Sequence, residues 1–270
     1  MEKKKVLFVT QELNPYTDLT EISDLAKKIT STANDKGFEF RVLMPKFGII
    51  NERRHRLHEV VRLSGMNIIV DDEDYPLIIK VASMPGARLQ VYFLDNEEFF
   101  KRKSVFYDDE GKPYEDNQER LVFFCKGVME TVKKFGWAPD IVHLHGQMTS
   151  LIPLYMKEAY KNDPVFKGAK IIYSMYENDL GKTFHDRFIQ IAAINDLSPE
   201  NLQFFQYDGK IDLNRGAAYY SDALAAGSSS FSEFVLSQAQ DKKENILDYM
   251  AEPDEVAKSF VDFYQRVLES

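Results

Sequence analysis

The chain has 270 residues, of which 44% are hydrophobic and 29% charged, a composition typical of a soluble globular protein with enough length for a sizeable core. Its 34 basic and 43 acidic side chains give a formal net charge of −9, and an acidic surface repels phosphate backbones, so nucleic-acid binding is not expected. No apolar run approaches the roughly 18 residues that a membrane span needs, and the first such run is too short for a signal peptide. We therefore expect a cytoplasmic protein with no membrane partner.

Cys125 is the only cysteine, which excludes an intramolecular disulfide and a cysteine-based zinc site. It lies within a helical run, and we interpret it as a buried, inert thiol. No cofactor is expected.

The first part of the chain has a strand–helix–strand pattern. KVLFVT, from Lys5 to Thr10, predicts a strand buried on both faces, and FEFRVLMP predicts the next strand. Between them, a helix ending at Gly37 is indicated by apolar residues at helical spacing: Leu19, Ile22, Leu25 and Ile29. This order predicts a parallel sheet with a ligand-binding loop after the first strand.

Three strand-like runs follow without helices between them: GMNIIV, YPLIIKVASM and RLQVYFLD. They predict an antiparallel insertion attached to the main sheet. A helix from Asn117 to Phe135, the strand PDIVHL, a helix over 149–160 and the strand AKIIYSM come next.

The remaining segments complete a single α/β domain over residues 1–270. KIDLNRGAAYYSD is predicted to be helical, ALAAGSS to contain a short strand, and Ser232 to Gln240 to form a helix. A last helix is indicated by four apolar residues on one stripe: Val256, Phe260, Phe263 and Val267.

Several segments together resemble the N-terminal domain of bacterial glycogen and starch synthases. They are KVLFVTQELNPY, RVLMPKFGIINE, VYFLDNEEFF, YEDNQERLVFFCKGVMETV, WAPDIVHLHGQMTSLIPLYMKEAY and KIDLNRGAAYYSDAL, in the family's order over about the first 230 residues. The resemblance implies a Rossmann-like, doubly wound, mostly parallel sheet, which is one half of a GT-B fold. It also implies a role in α-1,4-glucan metabolism, where the family transfers glucose from ADP- or UDP-glucose to a glucan with retention of configuration.

In the family, a second Rossmann-like domain holds most of the nucleotide, and this chain is too short to be expected to contain it. The last helix, at about 253–269, is similar to the family's C-terminal helix, which returns to the first domain. Our hypothesis is that the intervening region was lost and the return helix kept.

The family's phosphate-binding loop has a Lys-Thr-Gly-Gly motif, and the aligned residues here are Asp18, Leu19, Thr20 and Glu21. Two carboxylates then stand where donor phosphates would bind. We interpret Asp18 and Glu21 as N-cap and first-turn residues of the helix, and nucleotide-sugar binding in the family's pose is disfavoured.

The stretch HLHGQMTS ends a central strand with two histidines, His143 and His145. The family pattern is His-x-His-Asp-Trp-His, so the resemblance places Gly146, Gln147 and Met148 where Asp-Trp-His would be. A zinc site needs further ligands, and no matching pattern surrounds the remaining histidines, so no metal is expected. Structural and sugar-contacting roles for the two histidines both stay open.

Two further family motifs have counterparts. YEDN, from Tyr114 to Asn117, matches Tyr-x-Asp-Asn, whose aspartate lies near the active cleft; alternatively, Asp116 or Asn117 caps a helix beginning near Glu119, and the two roles are compatible. Residues 174–177, Ser-Met-Tyr-Glu, replace Thr-Ile-His-Asn, which leaves Tyr176 as a residue able to stack on a sugar ring.

These motifs give six sugar-binding candidates and no confident catalytic residue: Asp116, Asn117, His143, His145, Gln147 and Tyr176. The expected ligand is an α-glucan or maltooligosaccharide. We expect no glucosyl transfer by this chain alone, so that a partner chain or second copy would supply the missing half. The alternative is a non-catalytic glucan-binding or regulatory subunit.

Overall fold

The computed structural model describes residues 3–87, 89–177, 180–185 and 187–270. The predicted domain over 1–270 also includes residues 1, 2, 88, 178, 179 and 186, which lie outside those ranges.

The strands are β1 Lys5–Thr10, β2 Glu39–Pro45, β3 His58–Glu59, β4 Met66–Val70, β5 Glu73–Ser83, β6 Gln90–Asp95, β7 Ile141–His145, β8 Lys170–Met175, β9 Gln206–Tyr207, β10 Lys210–Ile211, β11 Ala223–Ala226 and β12 Ile246–Leu247. The α-helices are α1 Glu21–Asp35, α2 Glu52–His55, α3 Glu97–Phe100, α4 Asn117–Phe135, α5 Ile152–Leu154, α6 Arg187–Ala192, α7 Leu213–Tyr220, α8 Ser232–Ser237 and α9 Pro253–Glu269.

The main sheet has the strand order β12-β11-β8-β7-β1-β2-β6-β5-β3, with β4 paired to β5. All pairings from β12 to β6 are parallel, whereas β5 is antiparallel to β6, β3 and β4. The predicted parallel sheet with an antiparallel insertion is therefore confirmed.

The chain reverses its direction of travel across the sheet at β1. It first runs outward through β2 and β6, then returns to place β7 on the other side of β1, with Thr10 beside His145. In open α/β sheets, ligands bind at such a switch point, in the crevice beyond the carboxyl ends of the strands. Here that crevice lies between the loops after β1 and β7.

Helix α4 has the predicted bounds, Asn117 to Phe135, and places Cys125 in the core. The Cys125 thiol donates a hydrogen bond to the Met148 carbonyl oxygen at 3.2 Å. Burial raises the pKa of this thiol, which keeps it protonated and unreactive, as the sequence predicts.

Helix α1 differs from its prediction. It begins at Glu21, with the Thr20 hydroxyl accepting from the Ile22 amide, so Thr20 rather than Asp18 is the N-cap. Leu19 precedes the helix and is exposed, and Leu25 is only half-buried. The buried stripe instead follows i, i+4, i+7 and i+11 spacing: Ile22, Ala26, Ile29 and Ala33.

Three other predicted helices were wrong in extent. The segment predicted as a helix over 149–160 is a 3₁₀ turn (Gln147–Thr149), then α5, then a π-helical turn (Tyr155–Ala159) that begins two residues after Pro153, which has no amide hydrogen to donate. In KIDLNRGAAYYSD, a strand (β10) precedes helix α7. Helix α8 ends at Ser237 rather than Gln240.

Helix α9 covers residues 253–269, the range expected from the sequence, and packs against α1. The predicted apolar stripe is confirmed, because all four of its residues are buried: Val256, Phe260, Phe263 and Val267. Tyr264 extends from the same face, and its hydroxyl lies 2.6 Å from Nδ1 of His143 in β7. The last helix is thereby joined to the central strands through a buried hydrogen bond.

Candidate functional site

The crevice between the loops after β1 and β7 is filled by the side chain of Gln11. Its Oε1 accepts from the Met148 amide at 3.3 Å, and the residue is 1% exposed. Gly146 (φ 83°) lies directly beneath it: a Cβ at that position would be 2.4 Å from the Gln11 Oε1. Glycine at 146 is therefore needed both for the backbone conformation and for the close approach of Gln11.

The substitution Gly146→Ala is expected to lower the free energy of unfolding by about 4 kcal/mol, of which about 2 kcal/mol is backbone strain at φ 83° and ψ 161° and the rest overpacking against Gln11. The matched control is Gly168→Ala, since Gly168 also has a positive φ (93°) but no atom within 4 Å of an added Cβ. Urea unfolding of both variants separates the two contributions. Equal decreases in the free energy of unfolding in the two variants would show that the Gln11 side chain moves away from the added methyl group without an energetic cost.

Glu12 is buried and places a carboxylate at the N-terminus of α1. Its oxygens accept from the Thr20 amide (2.8 Å), the Thr20 hydroxyl (3.1 and 3.2 Å) and Nε2 of Gln11 (3.2 Å). Helix N-termini bind anions through their free amides and the helix dipole. The chain supplies its own anion at this terminus. Of the two carboxylates predicted there, Glu21 lies in the first turn of α1, as expected, whereas Asp18 precedes the helix; both are exposed.

His143 and His145 lie in the core and are fully buried. Nε2 of His143 is 2.8 Å from the Ser174 hydroxyl, and its Nδ1 bonds to Tyr264. Burial lowers the pKa of His143 well below its usual value, with a further contribution from His145. The predicted histidine pair therefore joins β7 to β8 and α9 and has no access to a ligand in this structure.

The His145 ring stacks on Phe8, with centroids 4.6 Å apart, and its Nδ1 is 2.9 Å from the Tyr176 hydroxyl. Among the described residues, Nε2 of His145 has no hydrogen-bond partner, and burial lowers the pKa of this residue to about 3. Tyr176 is 2% exposed and lies flat against Gly227, where an added Cβ would be 2.4 Å from its ring. Its ring is therefore not free to stack on a sugar here.

Asp116 and Asn117 belong to a separate arginine-centred cluster. Asp116 occupies the N-cap position of α4 but makes no side-chain capping bond; its carboxylate instead forms a bidentate pair with Arg102, with both distances 2.6 Å. Asn117 is the first residue of α4; its side chain donates to the Phe106 carbonyl oxygen (2.8 Å) and accepts from Arg120 (2.6 Å). The predicted capping role was wrong for both side chains, because arginines compete for their oxygens.

One of the six candidates, Gln147, lines an open cavity of about 470 Å³ beyond the carboxyl ends of β7 and β8. The polar lining also includes Glu177, Lys182, Asp208, Lys210, Asp212 and Asn214, and the aromatic lining is Tyr207 and Phe231. Asn214 is held in place by accepting from the Tyr173 hydroxyl (2.7 Å) and donating to the Tyr176 carbonyl oxygen (3.1 Å). Amide, carboxylate and ammonium groups beside aromatic rings can bind the hydroxyls and the apolar faces of a sugar.

Most of these cavity residues were missed from the sequence. They lie on the β9–β10 hairpin and the start of α7, which reach the edge of the sheet only through tertiary packing. A usable signal was the turn Tyr207-Asp208-Gly209-Lys210, whose Asp208 (φ 50°) and Gly209 (φ 70°) form a tight hairpin turn.

Among the described residues, no group of three or more His, Cys, Asp or Glu side chains is arranged to hold a metal ion. Within the same ranges, no helix has the length and apolar character needed to cross a membrane.

Comparisons with known proteins agree on one family. The family model described as starch synthase catalytic domain matches residues 5–248. Glycogen synthase from Chlorobaculum parvum is 33% identical over 238 residues (87% of this chain, 48% of the relative), and glycogen synthase from Chlorobium limicola is 31% identical over 240 residues (88% and 48%). The chain thus spans about half the length of the curated relatives it matches.

A solved structure gives the same result for the fold. The catalytic domain of starch synthase IV from Arabidopsis thaliana, bound to ADP and acarbose, superposes with a TM-score of 0.77 at 16% identity, covering 95% of this chain and 53% of that one. The sheet described above therefore corresponds to part of a GT-B catalytic domain, as expected from the sequence.

Proposed function

The chain belongs to the starch synthase catalytic-domain family, and from that premise we propose that it acts in α-1,4-glucan metabolism as a glucan-binding protein. In this proposal, the cavity beside Gln147 binds a maltooligosaccharide segment, and the chain by itself does not transfer glucose from a nucleotide sugar. A cytoplasmic location, expected from the sequence, is part of the proposal.

The observation that carries the proposal is the carboxylate of Glu12 at the N-terminus of α1. A donor diphosphate at that terminus would meet a buried negative charge. Two unit charges about 4 Å apart in a medium of effective dielectric about 20 repel by roughly 4 kcal/mol, which lowers affinity about a thousandfold. Gln11 adds a steric obstacle, because it already fills the neighbouring crevice.

The glucan part of the proposal is supported by the lining of the 470 Å³ cavity. Its volume is within the usual range for small-ligand sites, and its mixed polar and aromatic walls suit an uncharged, hydroxyl-rich ligand. Tyr207 is 57% exposed at the rim, and the guanidinium of Arg215 lies over its ring, 4.0 Å from the centroid.

A second candidate keeps the family reaction. A second Rossmann-like domain would be supplied by another chain or by a second copy of this one. It would face this cavity and bind the nucleotide sugar. Family membership favours this second candidate. The filled crevice beside the loop after β1 favours the first candidate, a glucan-binding protein that does not transfer glucose by itself.

Calorimetric titration of the purified chain with maltohexaose and, separately, with ADP-glucose and UDP-glucose tests the proposal. We expect maltohexaose to bind and neither nucleotide sugar to bind. Lys210→Ala, within the cavity, should weaken maltohexaose binding at least fivefold, whereas Lys103→Ala, at an exposed position away from it, should not.

The variant Glu12→Gln separates the two parts of the proposal. It removes one charge at nearly constant shape and leaves Gln11 in place, so a higher affinity for ADP-glucose than that of the unmodified chain would identify the Glu12 charge as an obstacle. Binding of ADP-glucose by the unmodified chain at micromolar concentration, about −8 kcal/mol, would contradict the exclusion of the donor. Absence of maltohexaose binding would remove the glucan site.

A further inference from the structure

A second cleft, with a volume of about 540 Å³, lies beside β3 and the end of β5 and is lined by two arginines. Its lining residues are Tyr16, Arg54, His55, Arg56, His58, Ser83 and Pro85. Two of these seven side chains are arginines, two are histidines and none is acidic, although the chain as a whole has a net charge of −9. The cleft shares no lining residue with the cavity beside Gln147.

Within the part of the chain that the structure describes, neither Arg54 nor Arg56 has a carboxylate at ion-pair distance. The acid nearest to Arg54 along the chain, Glu52, is already paired with Lys46 and Lys80, both at 2.8 Å. The acid nearest to Arg56 is Glu59, which forms no ion pair with it among the described residues. His58 and Glu59 are successive residues of strand β3, so their side chains project to opposite faces, which directs Glu59 away from His58.

The backbone of this segment is fixed by local bonds. The side chain of Asn51 caps α2 by accepting from the Arg54 amide at 2.9 Å. Arg56 follows in the left-handed conformation (φ 55°, ψ 42°), which costs a non-glycine residue about 1 kcal/mol. The turn thus holds Arg56 in a sparsely populated conformation with its guanidinium unpaired among the described residues.

The floor of the cleft is partly aromatic and is held by a side-chain hydrogen bond. Tyr16 is 4% exposed, and its hydroxyl donates to the Ser83 carbonyl oxygen at 3.2 Å. Its ring also makes a T-shaped contact with His55, with the centroids 5.0 Å apart. Pro85 adds an apolar wall, and the two arginines complete the lining.

We propose that this cleft binds the phosphate group of a small phosphorylated metabolite of about sugar size. Guanidinium groups bind phosphate oxygens through paired, charge-assisted hydrogen bonds, which two unpaired arginines can supply. The apolar floor at Tyr16 and Pro85 can contact the rest of the ligand, and 540 Å³ is within the range of small-molecule sites. The proposal is independent of the glucan site.

Calorimetric titration at low salt with inorganic phosphate, α-glucose 1-phosphate and glucose tests this inference. The two phosphates should bind and glucose should not. Calorimetry is preferred to thermal shift because phosphate stabilises folded proteins without specific binding. Binding of glucose 1-phosphate at least tenfold tighter than phosphate would identify an organic phosphate as the ligand; equal binding would identify the phosphate ion itself.

Two double variants, each of which loses two positive charges, test whether phosphate binding depends on the arginines that line the cleft. Arg54→Ala with Arg56→Ala should weaken phosphate binding at least tenfold. Arg53→Ala with Arg62→Ala removes two exposed arginines of the same segment that do not line the cleft, and should weaken it less than threefold. An equal decrease in phosphate affinity in both double variants would show that phosphate is attracted by the general positive charge of the segment, and would overturn the proposed site. Absence of phosphate binding at 10 mM would overturn it as well. Maltohexaose binding by the first double variant should be unchanged, which keeps failure here distinct from failure of the proposed function.

Discussion

Acidification from pH 7 to pH 5 is expected to lower the free energy of unfolding by about 4 kcal/mol, because His143 and His145 are buried in their neutral forms. Burial holds the folded-state pKa of His145 at about 3 and that of His143 far below its usual value. Both lie below the unfolded value of about 6.5, so the unfolded chain binds more protons as the pH falls. Their stabilising effect is thus present above pH 6.5 and is lost below it.

The size of the effect follows from linkage. Each histidine loses about 1.4 kcal/mol per pH unit once the pH is below 6.5, or about 2 kcal/mol between pH 7 and pH 5. Partial burial, followed by the charge of Arg54, also lowers the pKa of His55, which adds a smaller contribution of the same sign.

Urea unfolding at pH 7, 6 and 5 measures this dependence, and His145→Gln is the informative variant. Glutamine can still bond to the Tyr176 hydroxyl but does not titrate, so the difference between pH 7 and pH 5 should fall by about 2 kcal/mol whatever the variant's stability at pH 7. An undiminished difference in the variant would show that other groups cause the acid sensitivity.

Replacing Arg120 with alanine is expected to cost about 4 kcal/mol, equivalent to a decrease of about 10 °C in the melting temperature. Arg120 is 1% exposed, and its guanidinium donates to the carbonyl oxygens of Phe99 (2.8 Å) and Val105 (2.6 Å) and to Asn117 Oδ1 (2.6 Å). Burial lowers its pKa to about 10, which still leaves it charged at neutral pH. Its removal leaves three buried acceptors unpaired and opens a cavity among aromatic rings.

Two control variants separate the contribution of the planar guanidinium geometry of Arg120 to stability from the contribution of its charge. Arg120→Lys keeps the charge but cannot reach all three acceptors, and we expect it to lose at least half of the same stability. Arg102→Ala, which breaks a partly exposed ion pair with Asp116, should cost about 1 kcal/mol. Thermal unfolding of the three variants gives the order of their melting temperatures. An Arg120→Lys variant as stable as the unmodified chain would show that the charge of Arg120, rather than its hydrogen-bond geometry, stabilises the fold.

The sheet, helix α4 and the stripe of α9 were predictable from the sequence because their apolar residues follow simple spacings over many positions. The first turn of α1 was not, since Leu19 fits the helical spacing but precedes the cap at Thr20. Only the hydrogen bonds of Thr20 decide where this helix begins.

The strand ends near the candidate site were predictable, but most of the residues that line it, and their contacts, were not. The sequence located the strand ends that carry His143, His145 and Tyr176, yet their partners lie far along the chain, as Tyr264 does for His143. Likewise, nothing local indicates that Glu12 turns back to bind Thr20. Such pairings depend on tertiary packing, which residue spacing alone does not encode.

The position of β1 between β2 and β7 has a consequence for biosynthesis. Val6 pairs with Phe40 on one side but with Ile141 on the other. At ribosomal rates, roughly 5 to 20 s separate the synthesis of these two partners. During that interval, an apolar central strand has an open edge, the kind of surface that promotes aggregation and that chaperones protect. Pulse-labelled hydrogen exchange on ribosome-bound chains would detect this delay as late protection of the β1 amides that bond to β7.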